Sequence, residues 1–273
     1  MKLKRNKIAY IIILLPFAFI SIIPLYWMFI SAFKDPASII KMPPDWIVLN
    51  PTLKNFISLF QSSKILRWFI NSVVVAGFVT AGNIIFDTMA GYAFAKRKFF
   101  GNKLFFWLIM GGLMIPSQIT LIPLFLLMLN LGFYNNYAGL IIPTIATPFG
   151  IFLMKQFIET IPMDLESAAR IDGASEMQIF WKVIFPLSRP AWTVTGLFHF
   201  VANWNSFLWP LIMVDSDAMR TLPIGLSTLK SQYSVDFGIM MAGAVFAALP
   251  MFIVFFVFQK YFFAGLTVGS IKE

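Results

Sequence analysis

No cysteine occurs in the 273 residues, and there is a single histidine, His199. Disulfides, thiolate chemistry, Cys-based metal sites and multi-histidine metal centres are excluded at once. Charge is the next scarcity: Asp, Glu, Lys and Arg make up 12% of the chain, against 59% hydrophobic residues and a mean hydropathy of +0.80. A soluble domain carries about 25% charge, and half of that cannot cover a water-soluble globule. A disordered chain is excluded too, because disorder needs low hydrophobicity and high net charge. No Gly-rich loop ending in Gly-Lys-Ser/Thr is present, so the chain has no phosphate loop with which to hydrolyse ATP. An intramembrane enzyme would need a nucleophile with its base or a metal cluster, and the residues for neither are there.

What the chain has is long apolar runs, the composition of an all-α integral membrane protein. The first, Ile8 to Phe33, holds no charge and is long enough to cross about 30 Å of hydrocarbon with tilt. It is too long for a cleavable signal core and lacks a small-x-small site, so it reads as an uncleaved helix. Five more spans are expected at about Trp68–Ala95, Lys103–Leu129, Tyr137–Phe157, Pro190–Val214 and Phe237–Tyr261. Of the 21 Lys and Arg, 14 fall on the side of the termini and 7 on the other. The net charge of +9 is thus a topological signal. By the positive-inside rule both termini are cytoplasmic. No internal repeat or low-complexity segment is visible, and residues 1–273 read as a single transmembrane domain.

The loop between the fourth and fifth spans, 159–189, is too long for a turn and should carry structure of its own. Asp164 is placed to cap a helix over Leu165–Asp172, with Gly173 as its terminator. Ser175 and Gln178 form a capping-box pattern for a second helix, expected to run until Pro186 stops it. Glu166 and Arg170, four apart, are placed to pair. Leu165, Ala168, Ala169 and Asp172 share one face. Ile171, Met177, Phe180 and Trp181 are apolar residues in a loop, which either pack on the helix ends or await a partner surface.

This loop resembles the cytoplasmic "EAA" loop of permease subunits of binding-protein-dependent ABC importers, whose pattern is EAA-x3-G-x9-I-x-L-P. The pattern falls on Ser167, Ala168, Ala169, Gly173, Val183, Phe185 and Pro186. Ser167 stands where the pattern has glutamate, with Glu166 beside it. Other segments are similar to the carbohydrate branch, in particular the maltose-type second permease. They are Ala-Ala-Arg-Ile-Asp-Gly-Ala around Asp172, Ala90-Gly-Tyr-Ala-Phe-Ala95 with Phe99 and Gly101, and Met114-Ile-Pro with Ile122-Pro-Leu. Trp204-Asn205 with Phe207-Leu-Trp-Pro-Leu211 and Gly265-Leu-Thr-Val-Gly269 complete the set. The resemblance implies a type I ABC importer permease fold in a cell membrane. It also implies a second homologous permease, two ATPase subunits that hold ATP and Mg, and an extracytoplasmic sugar-binding protein. This chain itself would bind no cofactor and no nucleic acid. Glu166, Ser167, Ala168, Ala169, Asp172, Gly173 and Pro186 would then belong to the ATPase-coupling loop, and the end of the chain, 267–273, to a tail reaching between the ATPases.

Polar residues inside the spans form two stripes. Thr80, Asn83, Asp87 and Gly91 follow one helical face, and Gly196, His199, Asn203, Ser206 and Pro210 another. A carboxylate near the bilayer centre costs at least about 2.5–3.5 kcal/mol, so Asp87 needs a partner or water. Asp87 and His199 each lie nine residues from a cytoplasmic boundary mark, Lys96 and Pro190, roughly 13–14 Å deep. The two stripes are therefore expected to meet, with Asp87 near His199. Two roles fit them. They are a substrate path, including Asn83, Asn203, Trp204 and Asn205, or hydrogen-bonded glue between helices. Two other functions stay open: an ABC permease for a non-sugar solute, and a proton-coupled carrier using Asp87 and His199.

Overall fold

The structure is a computed structural model describing residues 2–229 and 236–267. Most of the expected tail, 268–273, lies outside the described residues. All regular structure among the described residues is helical. In chain order the helices are α1 (Lys2–Ala32), α2 (Pro36–Ile39), α3 (Lys54–Ser62), α4 (Ile65–Lys96) and α5 (Asn102–Gly111). There follow α6 (Ser117–Asn130), α7 (Tyr137–Ile141), α8 (Pro148–Glu159), α9 (Met163–Ile171) and α10 (Glu176–Ile179). The last are α11 (Phe185–Leu187), α12 (Arg189–Trp204), α13 (Leu208–Met213), α14 (Leu222–Thr228) and α15 (Phe237–Thr267).

Among the described residues, three stretches are long and apolar enough to cross a membrane unbroken: Leu14–Ala32, Ile65–Lys96 and Phe237–Gln259. The other expected spans are broken. The third bends by 106° between Asn102–Met114 and Ser117–Asn130, and the fourth by 44° between Tyr137–Thr144 and Pro148–Glu159. The fifth parts at 205–207 into α12 and α13. Proline explains each break. Pro116 and Pro148 lack the N–H that an unbroken helix would use and push the preceding residue into extended backbone, and Pro210 withholds a donor from the turn before it. Ile115 (ψ 116°) and Thr147 (ψ 142°) show that extended backbone.

The chain divides into two compact units, Met1–Arg67 with Leu222–Pro250, and Trp68–Thr221 with Met251–Glu273. In the first, Asn55 is buried and its amide donates to the carbonyls of Ala32 (2.9 Å) and Lys34 (2.8 Å), pinning α3 against the end of α1. Gly238 of α15 packs directly on Asn55, where no side chain would fit. Among the described residues, two buried apolar clusters lie in the second unit. One gathers Val75, Val79, Met128, Leu140, Met213 and Val214. The other gathers Tyr92, Met154, Ile158, Ile161, Ile179, Phe180 and Ile184 beneath the loop 159–189. Each large apolar side chain so buried contributes about 1.5–3 kcal/mol, which makes this loop a packed structure.

Candidate functional site

The loop 159–189 forms two short helices, as its sequence predicts, with shifted ends. Its first helix, α9, runs Met163–Ile171 with Pro162 at the N-cap position, so Asp164 lies inside the first turn and does not cap it. Asp164 and Glu166 there favour the positive end of the helix dipole. The helix stops in a Schellman motif: the Gly173 N–H donates to Arg170 O (3.0 Å) and the Ala174 N–H to Ala169 O (2.9 Å). Gly173 has φ +80°, the left-handed conformation only glycine adopts without strain. Ser175 and Gln178 then make the capping box of α10.

The second helix does not end at Pro186. It widens into a π-turn over Phe180–Ile184, where the Phe185 N–H reaches back to Phe180 O, and Pro186 falls in the first turn of α11. The wider turn shifts the hydrogen-bond register just before a residue with no N–H to give. Phe180 is buried, not exposed, because it packs in the cluster with Tyr92 and Ile179. Ala169 also turns inward against that cluster, whereas Ala168 faces out. The outer surface includes Met163, Leu165, Ala168, Ile171, Asp172, Met177 and Trp181, with Ile171 86% exposed.

Glu166 is the loop's buried charge. Its Oε2 accepts from Arg97 Nη2 (2.8 Å), Tyr92 Oη (3.1 Å) and Arg170 Nη2 (3.5 Å). The i,i+4 pair with Arg170 is therefore present but is the longest of the three contacts. Ser167, where the EAA pattern has its glutamate, is exposed and donates to Met163 O of its own helix (3.2 Å). Arg97 and Tyr92 were not legible as partners, since nothing along the sequence ties the end of α4 to a helix some 70 residues later.

Within the helices, Asp87 and His199 meet. Asp87 Oδ2 lies 3.2 Å from His199 Nε2, and both side chains are buried. Asp87 Oδ1 also accepts the Thr147 N–H (2.9 Å) and Oδ2 the Thr147 hydroxyl (3.3 Å). Thr147 is the N-cap of α8, its Oγ1 accepting from the Gly150 N–H (3.1 Å). The node thus ties α4, α8 and α12 at the start of α8, where the helix dipole favours a negative group. Gly150 is obligatory here, because a Cβ would land on the Asp87 carboxyl group. Thr147-Pro148 is an N-cap signature in the sequence, the one signal that points to this third partner.

The other intramembrane candidates separate. Asn83 donates to Val79 O (2.8 Å) and Thr144 O (2.9 Å), and Asn203 to His199 O (2.8 Å), so the two amides serve the backbone. Trp204 is buried, stacked on Phe200 (5.9 Å) and met edge-on by Phe69 (5.7 Å). Asn205 is exposed at the end of α12 and donates to Val201 O (2.8 Å). Elsewhere on the stripes, Thr80 and Gly196 line one cavity of about 450 Å³ with Arg189, Trp192, Thr193 and Phe200.

Residues 87–268 match the family of binding-protein-dependent transport system inner membrane components. The arabinooligosaccharides transport system permease protein AraQ of Halalkalibacterium halodurans is 38% identical over 279 aligned positions, covering 100% of both chains. The lactose transport system permease protein LacG of Rhizobium radiobacter is 34% identical, covering 93% of this chain and 92% of its own. Among solved structures, a chain from a bacterial ABC transporter involved in the import of the acidic polysaccharide alginate superimposes with a TM-score of 0.86. It is 24% identical and is matched over 95% of this chain and 97% of its own, a likeness of fold. Membrane-spanning helices, a packed loop at the EAA position and these matches agree: the chain belongs to the inner membrane components of binding-protein-dependent transport systems.

Proposed function

We propose that this chain is one permease subunit of an ATP-driven importer that passes a sugar or oligosaccharide from an extracytoplasmic binding protein into the cytoplasm. In this reading a second, homologous permease completes the passage, and two ATPase subunits bind ATP and Mg and hydrolyse the nucleotide. The chain forms a single permease domain of six spans, the bent pairs and α12–α13 each counting as one, with both termini cytoplasmic. The sugar cargo is supported by relatives named for arabinooligosaccharides and lactose.

The observation that carries the coupling role is the outer face of α9. Ile171 and Leu165 stand exposed beside Ala168 on a helix whose inner face is fixed by burial of Glu166. An apolar patch with a small residue at its centre is shaped for close approach by another protein. Ala169, by contrast, serves the chain's own core, and Asp172 and Gly173 serve the helix end. The stripes supply a stretch of passage at the Thr80–Gly196 cavity, which Thr193, Trp192 and Phe200 also line. The Asp87–His199 node is a helix tie: its oxygens are engaged by Thr147 and His199. That speaks against a proton relay.

The test is purification of the tagged chain from its native membrane in mild detergent, with mass spectrometry of what accompanies it. The expected result is a second permease and an ATPase, with the ATPase lost in Ile171→Glu and Ala168→Glu while the second permease is kept. A chain that purifies alone yet moves solute on a proton gradient would overturn the reading.

A further inference from the structure

We propose that Arg97 locks the coupling helix to the end of α4, so that α4, α9 and α10 move as one lever; the inference rests on the coupling reading above. Four charged side chains form a closed square. Arg97 Nη2 donates to Glu166 Oε2 (2.8 Å) and forms an ion pair with Glu176 Oε2 (2.5 Å), and Arg170 donates to Glu166 Oε2 (3.5 Å) and, through Nε, to Glu176 Oε1 (3.1 Å). Each charge touches two of opposite sign.

The square spans the weak point of the loop. Glu166 lies before the Asp172–Gly173 break and Glu176 after it, so a force on α9 could bend the loop there and be lost. Arg170–Glu176 bridges the break within the loop, and Arg97 holds both carboxylates to α4. The guanidinium is fixed in turn over the Tyr92 ring, 4.5 Å from its centre, while Tyr92 Oη donates to the same Glu166 oxygen (3.1 Å). Lys96, one residue earlier, donates through Nζ to Ile161 O just before α9. Both carboxylates meet the same nitrogen, Nη2, of a planar group that lies over an aromatic ring, and a lysine ammonium has no such flat face. Because the Glu166 side chain is fully buried, its charge is tolerated only while these donors stay in place. An apolar contact would let α9 slide; the square resists that.

The arrangement makes Arg97 a positioning residue, and its role is readable as a distance. The chain has no native cysteine, so Lys98→Cys and Asp164→Cys, both exposed and outside the square, place two nitroxides just past the end of α4 and on α9. Pulsed electron–electron distance measurements are made on the complete complex in lipid nanodiscs, with the partners' own thiols removed. The complex is read without nucleotide and after trapping with ATP, Mg and vanadate.

With Arg97 intact the distribution is expected to be narrow and the same in both states. In Arg97→Gln it broadens and shifts on trapping, while the ATPase still co-purifies and still hydrolyses ATP. Arg97→Lys restores the narrow distribution in part. Glu176→Gln, which removes only an exposed carboxylate and leaves the buried contact, broadens it less. An unmoved distribution in both Arg97→Gln and Glu176→Gln, with the ATPase recovered, overturns the lock and leaves the coupling reading standing. A native distribution that itself shifts on trapping also overturns it. Failure of the native chain to recover any ATPase overturns the coupling reading, and the lever with it.

Discussion

The Asp87–Thr147–His199 node carries more than its three side chains, because Asp87 and His199 are buried and Asp87 and Thr147 also accept backbone N–H groups of α8. Asp87 caps α8 through the Thr147 N–H, Thr147 caps it again through Gly150, and His199 closes the set from α12. Groups that share partners do not lose stability independently. Asp87→Asn and His199→Gln are each expected to cost about 1–3 kcal/mol, and the double variant little more than the worse single one, read as thermal unfolding in detergent. Full additivity would show that the contact at 3.2 Å contributes nothing. Lys34 makes a second case. It is buried over the Trp27 ring, its Nζ 4.0 Å from the centre, and desolvation holds its pKa below the usual 10.5. Between that lowered value and 10.5 the unfolded chain binds more protons than the folded one, so stability rises with pH across this window. The melting temperature of the native chain should therefore climb as pH approaches 10.5, and Lys34→Met should flatten the climb. Equal slopes in both proteins would refute the burial argument.

Helix ends and breaks decide what the elements do. Gly173 holds φ +80° with open space around it, so Gly173→Ala adds no clash and costs only the left-handed strain, about 1–2 kcal/mol. The expected outcome is a lower melting temperature with the ATPase still recovered; an unchanged melting temperature would mean that α9 ends without this turn. Local signals of this kind were legible in advance: the capping box at Ser175, the terminator at Gly173, the apolar extents of α1, α4 and α15. Each depends on neighbours within one turn. The bends were not read, although their prolines stood in view, because hydropathy measures length and apolarity but not direction. Pro16, Pro24, Pro123 and Pro250 lie inside intact helices while Pro116 and Pro148 begin new ones. The difference is set by packing. Burial of Phe180 and Ala169 was hidden for the same reason, since the surface that covers them comes from α4 and α8. At the node, equal depth on two stripes correctly brought Asp87 and His199 together. Asn83 and Asn203, also at equal depth on the two stripes, donate instead to backbone carbonyls one turn away or across on Thr144.

Over the whole molecule, the asymmetry of basic residues ties the membrane orientation to the coupling reading. The loop 159–189 can meet an ATPase only if it is cytoplasmic, and the same topology then places the 96–103 turn inside and the 34–64 segment outside. Each side offers an exposed apolar residue at which to test this. Phe100 is fully exposed in the turn between α4 and α5, and Leu49 is 86% exposed between α2 and α3. With no native cysteine to compete, Phe100→Cys and Leu49→Cys each introduce a single thiol whose sidedness is read by a membrane-impermeant maleimide. In intact cells or right-side-out vesicles Leu49→Cys should react and Phe100→Cys should not; after inversion the two should exchange. Positive charge resists translocation in short loops, and the 96–103 turn carries Lys96, Arg97, Lys98 and Lys103 in eight residues, so this turn is the firmest topological marker in the chain. Labelling of Phe100→Cys from outside would put Glu166, Arg97 and the exposed face of α9 on the side without ATP. The platform would then have to serve an extracytoplasmic partner. Protection from outside with reaction after inversion fixes the loop where ATP is, and makes Ile171 and Ala168 the surface that an ATPase must recognise.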